Sequence, residues 1–305
     1  MLFQPNGICP ICTTPGEVWC TARDWEYRAV SDCYTYLRCP ACQTLFIKEV
    51  PQQTLQEIYP GNYYSFSQNA GRSIFTLKNK WDRLFYQSIL KKITAELLSV
   101  LDIGGGTGEV LDVLKNADKR IGYTEVVDID SNSKAAAEKK GHVYTHATIE
   151  SYQTDKKFDV ILLLNIIEHI SNPAQMIEKA GSMLADGGMI IIKTPNADSL
   201  DARLFRKSYW GGLHCPRHWI IFTDDSFKQM MQPSRLKIKA LKFTQGAPFW
   251  TYSVLNLCRK KDILQRKKNL VDHIFFAPLS IFFALLDVLR SPFGKTSQMF
   301  VILSR

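Results

Sequence analysis

Leu101-Asp102-Ile103-Gly104-Gly105-Gly106-Thr107-Gly108 is the stretch whose reading decides the fold. It ends the apolar run that starts at Ser99 and opens the helical pattern of residues 109 to 117. Glycines at such a turn permit left-handed backbone and let a ligand approach the main chain closely. Counted from Gly104 the spacing is GxGxG. The dinucleotide fingerprint GxGxxG would need glycine at position 109, where Glu109 stands, and no Lys-Ser/Thr pair follows to make a phosphate loop. The turn therefore suits a nucleotide-type ligand other than a dinucleotide or a nucleoside triphosphate.

Working outward, apolar strands alternate with helical patterns. Thr124 to Asp128 is followed by a helix beginning near Ser131, Phe158 to Leu164 by the pattern 172 to 184, and Gly188 to Thr194 by an aromatic segment. A helix at about 224 to 231, the strand 236 to 243 and the closing strand 298 to 305 continue the series. Such alternation predicts an α/β chain with a largely parallel sheet covered by helices.

With Asp102 before the glycines, this register resembles the class I S-adenosylmethionine-dependent methyltransferases over about residues 80 to 245. The resemblance implies a doubly wound, seven-stranded Rossmann-like sheet ending in an antiparallel hairpin. It also implies S-adenosyl-L-methionine as cofactor, held by Asp102, Gly104, Gly106, Gly108 and an acidic residue closing the second strand. Asp128 fills that position, with Asp130 as runner-up. A carboxylate can accept hydrogen bonds from both vicinal ribose hydroxyls, and an acidic loop suits a sulfonium better than a phosphate. After the third strand the family touches adenine, often through an acidic residue. The matching stretch here includes Thr148 and Ile149. The run Phe158 to Pro173 resembles the fourth-strand EHxxxP element of methyltransferases acting in ubiquinone biosynthesis, which implies Leu164 and Asn165 beside the cofactor's methionine portion. Glu168 and His169 are read as organisers of that turn.

Tyr209 to Thr223 follows the fifth strand, where the family inserts loops that choose the substrate. His218 or His214 could take a proton from an acceptor hydroxyl, and Arg217 could bind a carboxylate or phosphate. A hydrogen-bonded packing loop is the alternative. Tyr63, Tyr64, Tyr209 and Trp210 complete the expected acceptor pocket.

Cys9-x-x-Cys12 and Cys39-x-x-Cys42 form two pairs separated by 26 residues, the pattern of a closed structural zinc site in a zinc-ribbon-like module. The division expected is 1–50 zinc module, 51–98 Tyr-rich linker and helix, 99–245 methyltransferase core, and 246–305 helical insertion with the last strand.

The 305 residues carry 46% hydrophobic and 22% charged side chains, which excludes a disordered chain. A net charge of +9 suits an anionic partner without choosing one. The amino terminus has no secretory pattern, and the apolar run 274–286 is shorter than a bilayer requires, so a cytoplasmic protein is expected. The basic run from Arg259 followed by that apolar stretch could meet a membrane surface through 259–289, pack on the core, or form a dimer contact. The function expected is methylation, at oxygen, of a small-molecule, sugar or lipid-linked acceptor. The alternatives are a nucleic-acid methyltransferase or binding protein using the zinc module, and an inactive binding protein. Between Cys9 and Cys42 the basic residues Arg23, Arg28 and Arg38 are balanced by Glu17, Asp24, Glu26 and Asp32, which argues against a nucleic-acid grip.

Overall fold

The computed structural model describes residues 7–51, 55–59, 82–260 and 270–305. Tyr63 and Tyr64, two of the expected acceptor contacts, lie outside the described residues.

Seven strands form the main sheet. Four parallel pairings join β4 (Leu98–Ile103), β5 (Ile121–Asp128), β6 (Val143–His146), β7 (Phe158–Leu164) and β8 (Leu184–Pro195). β10 (Lys237–Thr244) and β11 (Gln298–Ser304) are antiparallel, with β11 inserted beside β8, so the order is β10-β11-β8-β7-β4-β5-β6. The order reverses at β4, between β7 and β5, and open α/β sheets form their ligand crevice at such a switch point. The doubly wound, seven-stranded sheet expected from the sequence is the sheet found.

Both sheet faces are dry because the central strands are apolar at nearly every position. Leu101, Ile103, Ile161 and Leu163 point to one face, under helices Pro173–Ser182 and Asp224–Met231. Val100, Val160 and Leu162 point to the other, under helix Glu109–Ala117 and the helix at 82–90, which contributes Tyr86, Ile89 and Leu90. The expected helix of the linker is thus described only from residue 82.

The amino-terminal module is not the separate unit that a boundary at residue 50 implies. Strands β1 (Glu17–Arg23), β2 (Cys33–Arg38) and β3 (Leu45–Ile47) form an antiparallel sheet whose fourth strand, β9 (Ile220–Ile221), comes from the segment after the fifth core strand. Tyr36, Leu45 and Ile47 share one buried cluster with Trp210, Leu213 and Ile221. The sequence hid this because a two-residue bridge leaves no periodicity to read. Between β10 and β11 the chain inserts helices Ala247–Lys260 and Phe276–Arg290, which pack on each other through stacked Trp250 and Phe283 rings 5.1 Å apart.

Candidate functional site

The glycine turn has the backbone its sequence demands. Gly104, Gly106 and Gly108 take φ of 74°, 52° and 73°, a region where a Cβ is strained. A Cβ at Gly108 would sit 2.4 Å from the His142 ring, whereas one at Gly106 would meet nothing nearer than Ser133 Oγ at 4.0 Å. Gly106 therefore faces open space at the mouth of the crevice. Asp102 is buried beneath this turn, and burial, reinforced by Asp128, pushes its carboxyl up to about 8.

Asp128 ties the second strand to the turn. Its Oδ2 accepts from Gly106 N–H at 2.8 Å and its Oδ1 from Asp130 N–H at 2.9 Å. Each oxygen keeps further accepting capacity, so the carboxylate is braced without being used up. Asp130 is spent locally, accepting from Asn132 N–H and Ser133 Oγ while it caps the helical turn Ser131–Ser133. Asp128 is thus better placed than the runner-up.

Across the switch point, Asn165 sits at the end of β7 with φ 54°, its N–H donating to Lys193 O at 2.7 Å and its Oδ1 accepting from Gln298. Leu164 is half-buried beside it. Beyond β6, Thr148 is exposed, but Ile149 is buried in the core cluster. The Ile149 side chain turns inward to pack in the core, which leaves its backbone as the part that can face adenine.

The histidines of the inserted loop meet the end of β7. Glu168, His169 and His218 each place one ligand atom within 4.8 Å of the others, Glu168 and His218 buried and His169 half-buried. His218 Nδ1 lies 2.7 Å from Gly212 O, and since a carbonyl only accepts, Nδ1 carries the proton. Its Nε2 is thereby left with a lone pair, 3.8 Å from Glu168 Oε1. Burial first, then the His169 and His214 rings, hold His218 neutral well below its usual pKa. Burial pushes the Glu168 carboxyl up to about 8, against the donation from Thr194 Oγ1 at 3.0 Å. Its Oε1 has no hydrogen-bond partner among the described residues. His214 differs from His218, since its Nδ1 is 2.5 Å from Glu26 Oε2. Burial pushes Glu26 up and His214 down, so this is a neutral hydrogen-bonded pair sharing one proton.

Two expected acceptor contacts take structural roles. Arg217 is fully buried, with Nη2 donating to Asp24 at 2.9 Å and to Ile58 O at 2.6 Å, so its charge is already matched inside the protein. Trp210 is buried too, its indole N–H donating to Asp201 at 2.7 Å. Tyr209 is half-buried, facing Trp25 and covered by Lys260. Of the tyrosine run, Tyr59 reaches the cluster, its hydroxyl 2.9 Å from His169 Nδ1. Asp24 and Glu26, which anchor Arg217 and His214, were not singled out from the sequence. Nothing in their spacing signals it, because the partners lie nearly two hundred residues away.

The four paired cysteines converge. Sγ separations are 3.5 Å for Cys9 to Cys42, 3.3 Å for Cys12 to Cys39 and 3.5 Å for Cys12 to Cys42. The two pairs fold as repeats of one knuckle. Thr13 and Gln43, each just after its pair, take φ of 61° and 64° and donate to Cys9 O and Cys39 O, both at 3.0 Å. Thr14 and Thr44 stand at matching positions with hydroxyls near Cys12 and Cys42 sulfur. The hydrogen bond from Cys9 pushes Cys42 down to about 4, and the Cys9 thiol is pushed up in turn.

A methyltransferase-domain family matches residues 76–238, just over half of the chain. The chain belongs to this family. Among curated relatives, the ubiquinone biosynthesis O-methyltransferase of Rickettsia felis is 27% identical over 175 residues, covering 53% of this chain and 68% of the relative. The mitochondrial ubiquinone biosynthesis O-methyltransferase of Dictyostelium discoideum is 30% identical over 146 residues, covering 40% and 44%. In most of these relatives the match spans less than two thirds of their length. Two solved methyltransferases holding S-adenosylhomocysteine share the fold of this methyltransferase. Coclaurine N-methyltransferase has a TM-score of 0.51 at 12% identity, covering 84% of this chain and 82% of that one. A plantazolicin methyltransferase has a TM-score of 0.52 at 18% identity, covering 81% and 92%. The family match stops at residue 238, before the helical insertion.

Proposed function

We propose that this methyltransferase uses S-adenosyl-L-methionine to methylate a hydroxyl of a small-molecule acceptor, with His218 taking the proton. The observation that carries the reading is the fixed tautomer of His218. Its Nδ1–H is committed to Gly212 O, and burial keeps the ring neutral, so Nε2 is a base over the carboxyl end of the fourth core strand. Bound S-adenosylmethionine supplies a methyl group already activated on a sulfonium. The open space at Gly106 admits its amino-acid end, and Asp128 accepts from its ribose hydroxyls. Thr148, exposed after the third core strand, is the residue assigned to adenine. Leu164 and Asn165 border the methionine portion. His218 Nε2 would take the proton of the acceptor hydroxyl as the oxygen–methyl bond forms and the methyl–sulfur bond breaks, the sulfonium leaving as a neutral thioether, while burial of the loop keeps water from the reacting atoms. His214, already paired with Glu26, positions the loop and is the weaker choice of base.

One zinc ion held by Cys9, Cys12, Cys39 and Cys42 completes the reading. Four converging thiol groups on paired knuckles suit a closed tetrahedral site, which leaves no position for water and so a structural role. No disulfide joins the eight cysteines, which suits a reducing cytoplasm. The balanced charge of the module disfavours a nucleic-acid acceptor.

The test is transfer of labelled methyl from S-adenosylmethionine into a metabolite extract by wild type and His218→Ala. Labelled product that is alkali-stable, acceptor-dependent and lost in the variant supports the reading. Label in RNA, or full activity of His218→Ala, refutes it.

A further inference from the structure

The face that the sequence left open lies on helix Phe276–Arg290. Its inner side packs on helix Ala247–Lys260 through Phe276, Leu279 and Phe283. Asp287 closes that side, accepting from Gly246 N–H and Trp250 Nε1–H. The outer side is just as apolar. Ile281, Phe282, Leu285, Val288 and Leu289 are 47 to 72% exposed, and they follow helical spacing along one face. Ile274, Phe275 and Phe293 extend it, the last 90% exposed. These eight side chains are half of the sixteen large exposed hydrophobics among the described residues, gathered within twenty positions. A helix apolar all round is normally buried, so this face has an occupant in the working protein.

Charge decides which occupant fits. Residues 246–305 hold nine Lys and Arg against three Asp, a net of +6 out of the chain's +9. Asp287 and Arg259 are both buried, and the run from Lys260 to Lys268 counts five basic residues to one acidic. A second copy docked on this face would bring two such segments together, and like charge opposes that contact. An anionic surface is attracted instead. The helix is fifteen residues, roughly 22 Å at 1.5 Å per residue, against the roughly 30 Å of a bilayer core, so it can lie in an interface but not cross it. No helix among the described residues is long and apolar enough to cross a membrane.

We infer that the outer face of helix Phe276–Arg290 docks the enzyme on an anionic lipid surface. The inserted pair also roofs the acceptor loop. Ser253 Oγ accepts from Gly211 N–H at 2.8 Å, Asn256 donates to Tyr209 O, and Arg259 holds the carbonyls of Trp25 and Glu26. The lipid-facing helix is thus separated from the loop that carries His218 only by helix Ala247–Lys260, an arrangement suited to an acceptor that resides in or on the membrane. The docking itself does not depend on the acceptor reading.

Full-length protein is mixed with phosphatidylglycerol vesicles and, in parallel, phosphatidylcholine vesicles, and the bound fraction is read by co-flotation. Binding to the anionic vesicles at least tenfold tighter than to the neutral ones, weakened by about 0.5 M salt, is expected. The double variant Leu289→Ser/Phe293→Ser lowers that binding at least tenfold while its melting temperature and its affinity for S-adenosylmethionine stay unchanged. Phe282→Ser, two turns from Leu289 on the same face, serves as the second variant. No binding to anionic vesicles, or binding that both variants leave intact, overturns the inference. So does a concentration-dependent wild-type dimer that these variants dissociate, since the face then belongs to a second copy. Cofactor affinity, measured in the same preparations, reports separately on the methyltransferase reading.

Discussion

Replacing Asp128 by Ala removes two things at once: the acceptor for the ribose hydroxyls and the brace that holds the glycine turn through Gly106 N–H. A hydrogen bond to a charged acceptor contributes about 1.5 to 3 kcal/mol. Two hydroxyls would lose such a partner, although water re-entering the half-buried site returns part of the loss, so about 3 kcal/mol is a reasonable net cost. At about 1.4 kcal/mol per tenfold, that weakens S-adenosylmethionine binding roughly a hundredfold. Asp128→Asn should be milder, about tenfold, because one amide oxygen still accepts while the amide nitrogen faces a backbone N–H that once donated to the carboxylate. Titration calorimetry on the folded variants, with circular dichroism to show that the sheet is intact, measures both. An Asp128→Ala protein that binds the cofactor within threefold of wild type would refute the ribose assignment and leave Asp128 as a loop brace only.

Gly106→Val should abolish cofactor binding, since its side chain would occupy the open space over Ser133, and should also lower the melting temperature because a β-branched residue is strained at φ 52°; calorimetry with a melting curve separates the two effects. Metal analysis should find one zinc per chain in wild type, and Cys39→Ser should lose it and melt lower, because Leu37 and Phe46 pack against the thiol cluster. His218→Ala should lower methyl transfer by about a hundredfold with cofactor affinity nearly unchanged. Stability should carry the signature of Glu168. Between about pH 4.5 and 8 the folded protein keeps the Glu168 proton that the unfolded chain has released, so folding is favoured at the acid end and weakens as pH rises toward 8. The neutral histidines oppose this only below about pH 6.5, where the unfolded chain gains protons that buried His169, His214 and His218 refuse. The melting temperature of wild type should therefore fall from pH 6.5 to 8, and Glu168→Gln, neutral throughout, should make that fall shallower while leaving the share that buried Asp102 and Glu26 contribute in the same direction; parallel slopes for both proteins would show that Glu168 is ionised in the folded state.

How much of this was legible from the sequence follows from how far each interaction reaches along the chain. The strand, glycines and carboxylate from Leu98 to Asp128 are local chemistry. Positive φ at Gly104, Gly106 and Gly108 and the acidic end of the second strand could be read directly, and with them the doubly wound sheet. The paired cysteines were equally plain, since each knuckle spans six residues. What only the tertiary structure decided is how those local pieces use one another. The amino-terminal sheet borrows its fourth strand from Ile220–Ile221. Arg217, a candidate anion clamp by its neighbours in sequence, is neutralised by Asp24, and His214 is claimed by Glu26. Trp210 gives its N–H to Asp201 and leaves the pocket for the core. Burial takes the choice away from sequence pattern in each case. A charge or donor enclosed in the protein must find a partner wherever the fold supplies one, and distance along the chain places no limit on where that is.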